Sequence, residues 1–443
     1  MFANYDEAIN WIHSRLKFGV KPGLKRMEWF LEKYNHPEEN LQIIHVAGTN
    51  GKGSTISYMR HMLMEAGYKV GTFTSPYIEL FNERISVNGQ PISDEAMLSL
   101  VNEIKPYVEQ IEQTELGSPT EFEVITMMMY LYFGKYNQPD FLLLETGLGG
   151  RLDSTNVINH PLLSIITNVG YDHMNILGNT IEEIAAEKAG IIKSGVPVFT
   201  AIENENGIQV VKDVAKRKNA PLFIYGTDFN IVKHQLHRNG ELFSLETSSY
   251  VYDDVLITMK GEHQTKNAAL AISAIDYLKR KNIVNINEMQ LKTALEKTNW
   301  IGRFEKVYDN PEVIIDGAHN IEGIESLVST LKRHYGNRNI HFLVSILNDK
   351  NYEEMIHLLT RIATSMHFTS FDFPRAAKAS ELYSVCELGN KSYSDDWVEK
   401  IQNLLKIYEN RGDDLIVVVG SLYFISHIRN YFYEKNNWSN IPL

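Results

Sequence analysis

Residues 48–55, Gly48-Thr49-Asn50-Gly51-Lys52-Gly53-Ser54-Thr55, follow a short apolar run and precede a helical pattern. Glycines let backbone N–H groups close on phosphate oxygens, a helix N-terminus adds partial positive charge, Lys52 supplies a full one, and the hydroxyl of Ser54 or Thr55 can reach Mg²⁺. The residue types therefore describe a nucleotide phosphate cradle made of Asn50, Gly51, Lys52, Gly53, Ser54 and Thr55. Its spacing departs from G-x-x-x-x-G-K-[ST], because Gly53 separates Lys52 from Ser54 and the step from Gly48 to Gly51 is short. A plain glycine-rich turn with an exposed lysine is the alternative, and the strand-loop-helix setting weighs against it.

Other residues gain meaning only by position. Glu145 closes an apolar run in front of Gly147-Leu148-Gly149-Gly150, a place suited to a hard oxygen ligand for Mg²⁺, although a lone strand-end glutamate is more often solvated. Ser75 by itself reads as a turn residue before Pro76, and His173 as a loop or helix-cap histidine. Lys188 lies near the end of a helical segment at 181–189, where a lysine ordinarily faces solvent and is favoured by the helix dipole. Asp316 to Asn320 read as a strand-to-helix turn with Asn320 as N-cap. Arg303 offers the planar set of donors that suits phosphate. Phe122, Met127 to Met129 and most tyrosines read as core.

The elements that must hold these residues alternate between short β-type runs and longer helical patterns: 41–47, 54–66, 68–74, 141–145 and 163–168. That is the βαβ signature of a parallel sheet whose ligand crevice opens at the carboxyl ends of its strands. The texture changes over 229–259, where alternation, an Asn239-Gly240 turn and an acidic turn at Asp253-Asp254 predict antiparallel hairpins. A helix over 267–279 follows. A second βα series then runs through 313–315, 324–334, 342–346, 352–362, 368–373 and 415–420. The expected fold is α/β: a P-loop-type parallel-sheet domain with a small antiparallel β portion over 1–298, and a smaller Rossmann-like domain over 299–443.

Composition bounds the rest. The chain has 443 residues, 44% hydrophobic and 22% charged, which fits a globular protein of two or three domains and excludes collagen-like, coiled-coil and disordered classes. A formal net charge of -12 opposes nonspecific attraction to nucleic acid or to an anionic membrane. The single cysteine, Cys386, permits neither an internal disulfide nor a thiolate cluster, so a cytoplasmic setting is expected. The N-terminal 19 residues read as an amphipathic helix without the basic start and apolar block of an export signal. The longest apolar stretch, 124–133, is about half of what a bilayer span requires and reads as a buried helix.

The departure at Gly53 is itself informative, because Gly-Thr-Asn-Gly-Lys-Gly-Ser-Thr closely resembles the ATP loop of the folylpolyglutamate synthase/dihydrofolate synthase family, relatives of the Mur ligases. Further segments match the same pattern in order: Thr74-Ser75-Pro76 with Phe81-Asn82-Glu83-Arg84-Ile85, Glu145 through Asp153, Asp172-His173, and Glu187-Lys188-Ala189-Gly190-Ile191. Gly261 through Ala268, Gly302-Arg303-Phe304-Glu305, Asp316-Gly317-Ala318-His319-Asn320 and Gly420-Ser421-Leu422-Tyr423 continue it almost to the end.

The resemblance implies an ATP-dependent ligase that adds L-glutamate to a reduced folate through an acyl phosphate, with dihydropteroate open as a second acceptor. A Mur ligase acting on a UDP-sugar peptide is the nearest alternative, although those relatives usually place Thr directly after the P-loop lysine. The resemblance also implies Ser75, Glu145 and His173 as ligands at two Mg²⁺ sites, with Mn²⁺ an acceptable substitute given the imidazole. It implies a carbamate on Lys188, catalytic roles for Lys52, Lys188 and His319, ATP contacts from Arg303 and Asp316 as the C-terminal domain closes, and adenine-side or domain-hinge contacts from Gln264 and Asn267. Lys25, Arg26, Thr120, Phe122, Glu123 and Asp153 are the expected substrate contacts. A monomer working on small molecules, without nucleic acid or membrane, is expected.

Overall fold

A computed structural model describes residues 1–436. The chain divides into two units, one of residues 1–233, 244–255 and 266–297, the other of residues 234–243, 256–265 and 298–443.

The first unit is built on an eight-stranded sheet: β1 (Ile43–Ala47), β2 (Val70–Phe73), β3 (Ile85–Val87), β4 (Gln90–Pro91), β5 (Phe141–Glu145), β6 (Leu163–Ile166), β7 (Val198–Thr200) and β8 (Leu222–Ile224), in the order β4-β3-β2-β5-β1-β6-β7-β8. All neighbours from β2 to β8 run parallel, and β3 and β4 add an antiparallel edge. Every residue of β1, β5 and β6 is buried, because a parallel strand covered on both faces needs a continuous apolar run rather than an alternating one. The helix Lys52–Glu65 packs on β1, β2 and β5. Helix Glu121–Leu131 is buried at nearly every position, as its apolar run predicts, and joins the core of this unit. At the N-terminus the expected single helix is instead an α-helix, Tyr5–His13, followed by a 3₁₀ turn, Ser14–Phe18, that stops at Gly19 with φ +61°. Among the described residues no helix is long and apolar enough to cross a membrane.

A three-stranded sheet, β9 (Asn230–His237), β10 (Gly240–Glu246) and β11 (Val251–Ile257), stands where hairpins are expected, with Asn239-Gly240 between β9 and β10. The second turn is misplaced in the sequence reading: Asp253 and Asp254 lie inside β11. The reversal falls at 247–250, where the Thr247 hydroxyl accepts from the backbone N–H of Ser249 and Tyr250. A threonine side chain here does the work that the acidic pair was expected to do. Asp254 instead marks a local kink, with φ +48°.

The second unit contains a six-stranded sheet of β12 (Glu305–Asp309), β13 (Glu312–Asp316), β14 (Asn339–Val344), β15 (Ser365–Thr369), β16 (Lys391–Ser394) and β17 (Asp414–Val419), ordered β12-β13-β17-β14-β15-β16. It is parallel except for the β12–β13 hairpin. Strand β15 starts and ends earlier than the expected 368–373, and Phe371 and Phe373 stack on each other in the following loop. The fold is therefore the α/β class expected: a mostly parallel P-loop-type sheet, a small antiparallel sheet and a Rossmann-like C-terminal sheet.

Candidate active site

In the first unit the chain turns from β1 into helix Lys52–Glu65 through Gly48 to Gly51. Gly48 (φ +154°) and Gly51 (φ +85°) occupy backbone conformations open to glycine. A Cβ on Gly48 would overlap the Thr167 hydroxyl, and one on Gly51 would overlap the Asn267 side chain. The loop is gripped from the carboxyl end of β6: Asn168 Oδ1 accepts from Asn50 N at 2.7 Å, and Thr167 Oγ1 donates to Asn50 O at 2.6 Å. Thr167 and Asn168 carry no motif of their own in the sequence; their only signal is that they end the apolar run at 163–168.

Lys52 Nζ donates to the carbonyls of Gly48 (3.1 Å) and Thr49 (3.3 Å) and lies 3.9 Å from Glu145 Oε1. Ser54 and Thr55 are buried on the first turn of the same helix, and the Thr55 hydroxyl has no hydrogen-bond partner among the described residues. Glu145, 4% exposed at the end of β5, accepts from Ser75 N at 3.3 Å. The structure thus brings Lys52, Glu145 and Ser75 together. The buried Glu145 carboxylate and the Ser75 hydroxyl are hard oxygens that fit a magnesium ion by their chemistry.

Lys188 is not the solvent-facing lysine that its helix position alone implies. It is 2% exposed, and burial together with the nearby Lys52 ammonium pushes its pKa down to about 7, while Asp172 and Asp153 pull the other way. His173 occupies the left-handed region (φ +50°) as N-cap of helix Met174–Leu177, with its side chain 43% exposed and Nε2 3.9 Å from Asp172 Oδ2. Its backbone N–H donates to Asp172 Oδ1 at 2.9 Å.

The expected substrate residues carry structural duties. Thr120 and Glu123 form the reciprocal cap of helix Glu121–Leu131, with Glu123 N to Thr120 Oγ1 at 3.2 Å and Thr120 N to Glu123 Oε2 at 2.8 Å. The other Glu123 oxygen receives Arg26 Nε at 2.7 Å. Phe122 packs against Gly147, two residues after Glu145. Lys25 is exposed at the start of helix Lys25–Lys33. Asp153 is buried and accepts from Leu148 N (2.7 Å), Thr155 N (3.0 Å) and Thr155 Oγ1 (2.6 Å). Burial pushes its carboxyl pKa up against those bonds. Thr155 Oγ1 also meets His45 Nε2 at 2.8 Å, and burial holds that imidazole neutral, with a pKa pushed down to about 3.

In the second unit Asp316 ends β13. Its carboxylate accepts from Phe304 N and Ala318 N, both at 2.9 Å, and burial raises its pKa while the adjacent Arg303 guanidinium opposes the rise. Gly317 lies close to Arg303 Nη1, and a Cβ there would meet it at 2.6 Å. His319 Nδ1 meets Gly317 O at 2.7 Å. Asn320 caps helix Ile321–Tyr335 through Gly323 N at 2.9 Å. Asp316 and His319 thus sit on one strand-to-helix turn, and Arg303, just before β12, lies beside it. Gln264, buried, and Asn267 lie on the first turns of helix Glu262–Arg280.

Family models for the Mur ligase middle domain match residues 46–275, and for the Mur ligase glutamate ligase domain residues 302–422. The dihydrofolate synthase/folylpolyglutamate synthase of Bacillus subtilis is 50% identical over 97% of this chain and 99% of its own. The solved folylpolyglutamate synthase of Mycobacterium tuberculosis, complexed with ADP and AMPPCP, superposes with a TM-score of 0.90 at 26% identity, covering 99% of this chain and all 100% of the other. A folylpolyglutamate synthase complex with AMPPCP and folate gives a TM-score of 0.83 at 33% identity, over 97% of this chain and 99% of that one. With the glycine loop, the buried Glu145 and the buried Lys188 in place, the chain belongs to the folylpolyglutamate synthase/dihydrofolate synthase family of the Mur ligases.

Proposed function

We propose that this protein uses ATP to join L-glutamate to a reduced folate, releasing ADP and phosphate, with dihydropteroate as a second acceptor. The observation that carries the reading is the half-buried Lys52 beside the buried Glu145, 3.9 Å apart at the mouth of a glycine loop, in a chain 50% identical to a dihydrofolate synthase/folylpolyglutamate synthase over 97% of its residues.

A free carboxylate is a poor acyl donor. It first attacks the ATP γ-phosphorus in line, the bond to the β-phosphate oxygen breaks, and an acyl phosphate forms. The glutamate amine then adds to the acyl carbon, and phosphate leaves from the tetrahedral intermediate as the amine loses its proton. Positioning and charge neutralisation suffice, so no protein nucleophile is needed. Lys52 and the N–H groups of the glycine loop hold the phosphates. Arg303, beside the turn that carries Asp316 and His319, is assigned to ATP, as are Gln264 and Asn267. Lys25, Arg26, Phe122 and their neighbours are assigned to the pterin-bearing substrate.

Glu145, Ser75 and His173 would hold divalent cations, Mg²⁺ or Mn²⁺, which supply neutralisation of the phosphoryl charge. Lys188 is the residue to carry a carbamate: burial lowers its amine pKa to about 7, which raises the share of neutral amine, and the neutral amine adds to CO₂ with loss of one proton. Carbamylation turns a buried cation into an anionic oxygen donor. Carbon-13 NMR of enzyme equilibrated with labelled bicarbonate is expected to show one carbamate resonance that Lys188→Ala abolishes.

The deciding assay is phosphate release from ATP and Mg²⁺ with glutamate plus tetrahydrofolate or dihydropteroate. Release with tetrahydrofolate is expected. Release with neither acceptor, but with a UDP-linked peptide precursor, would transfer the chain to the Mur reading.

A further inference from the structure

We propose that Asn156 is a positioning residue that fixes the distance between the Glu145 and Lys188 ends of the metal centre; this rests on the reading of those two residues given above. Two backbone segments adjoin or carry them: Glu145 ends β5 and leads into the first, and Lys188 lies on the second. One is the loop after β5, Gly147 to Arg151, rich in glycine and soft by composition. The other is the carboxyl end of helix Ile181–Ala189, running into Gly190.

The Asn156 amide nitrogen bonds both at once, donating to Arg151 O at 3.1 Å and to Gly190 O at 3.1 Å. The residue is 4% exposed. Among the described residues its own Oδ1 is buried without a hydrogen-bond partner, so the position uses the two amide hydrogens and not the carbonyl. A carboxylate of the same shape has no such hydrogens.

The two segments touch closely enough for this bond pair to matter. Arg151 N donates to Glu187 O at 2.7 Å, and a Cβ on Gly150 would meet Glu187 O at 2.8 Å and Lys188 O at 3.0 Å. The Arg151 guanidinium also reaches Glu187 Oε1 at 2.7 Å, but its side chain is 57% exposed, so water screens that pair. Asn156 is the buried member of the clamp. Asp153 stiffens the same loop through Leu148 N, leaving Asn156 to set where the loop lies against the helix.

The test is Mn²⁺ binding, followed by loss of the free-ion EPR signal, together with the carbamate resonance of Lys188. Measured on the full chain, Asn156→Asp and Asn156→Ala are expected to weaken Mn²⁺ about tenfold, in the range seen when outer hydrogen-bond partners of ligands are removed, and to lower carbamate occupancy. Asn156→Ser, which keeps one donor, should fall between them and the parent. Arg151→Ala should bind as the parent does. Glu145→Gln is measured beside them. If Glu145→Gln loses Mn²⁺ while folded Asn156→Asp or Asn156→Ser protein binds normally with full carbamate, the positioning role is wrong and the metal centre stands. If Glu145→Gln also binds normally, the metal centre falls and the positioning role with it.

Discussion

Lys52 and Glu145 are opposite charges 3.9 Å apart, with side chains 17% and 6% exposed, a place where charge is poorly screened and its removal is costly. Each is assigned to the transferring phosphoryl group, Lys52 directly and Glu145 through a cation. Lys52→Ala and Glu145→Ala are therefore each expected to lower kcat by about 10²–10³-fold, the loss typical of one preorganised electrostatic partner. Steady-state phosphate release checks this, and near-normal turnover in either variant would remove that residue from the site. Lys52 was legible in the glycine loop itself, whereas Glu145, which alone reads as a solvated strand end, takes its role from the resemblance. Lys188 was legible only through resemblance. Helical periodicity puts it near a helix end and says nothing of the loop that Gly150 brings down over it. Asp153 shows the opposite case: its motif marks it, but its oxygens accept hydrogen bonds from Leu148 and Thr155 inside the chain.

At the scale of elements, close packing between the loop after β5 and helix Ile181–Ala189 depends on a missing side chain at 190. Gly190 has an ordinary right-handed φ of -60°, so its backbone would accept alanine; the obstacle is space, since a Cβ would overlap the Cα and Cβ of Arg151. Gly190→Ala is expected to destabilise by about 1–3 kcal/mol, the cost of overpacking a fitted contact. Gly389→Ala, where the space is open, should cost far less. Urea midpoints compare the two. Strands were read well where they are buried on both faces, as in β1, β5 and β17, whose apolar runs have no competing explanation. Strand β16, Lys391-Ser392-Tyr393-Ser394, gave no such signal. It lies at the sheet edge, only partly covered, and was absent from the sequence reading. The start of β15 was missed for a related reason: Ser365 and His367 look like loop residues until their partners are known.

Those partners form a single run of hydrogen bonds across the C-terminal sheet, and the run links the whole molecule to pH. Lys400 Nζ donates to Ser392 Oγ at 2.6 Å, Ser392 Oγ meets His367 Nδ1 at 2.8 Å, and His367 Nε2 meets Ser365 Oγ at 2.8 Å. Ser365 Oγ then meets His341 Nδ1 at 2.7 Å, and His341 Nε2 meets Asp414 Oδ1 at 2.9 Å. An ammonium can only donate and a carboxylate can only accept, so with both imidazoles neutral one assignment satisfies every link: each carries its hydrogen on Nε2. Burial agrees, pushing His367 from 6.5 down to about 4 and lowering His341 despite Asp414. The unfolded chain binds protons at these histidines near their ordinary pKa while the folded chain resists. Their stabilisation is therefore fully present above about pH 6.5 and is lost as pH falls toward about 4. Asp414, whose pKa is lowered from 3.8, contributes only below that window. His45 and His61, in the other unit, are also depressed, to about 3 and about 4, so the difference between variants is the informative quantity. Thermal melts from pH 6.5 to pH 4 are expected to show a falling Tm in the parent and a flatter slope in His367→Gln, which cannot take up the proton. An unchanged slope would mean that His367 already titrates normally in the folded protein and that the sheet does not hold it neutral.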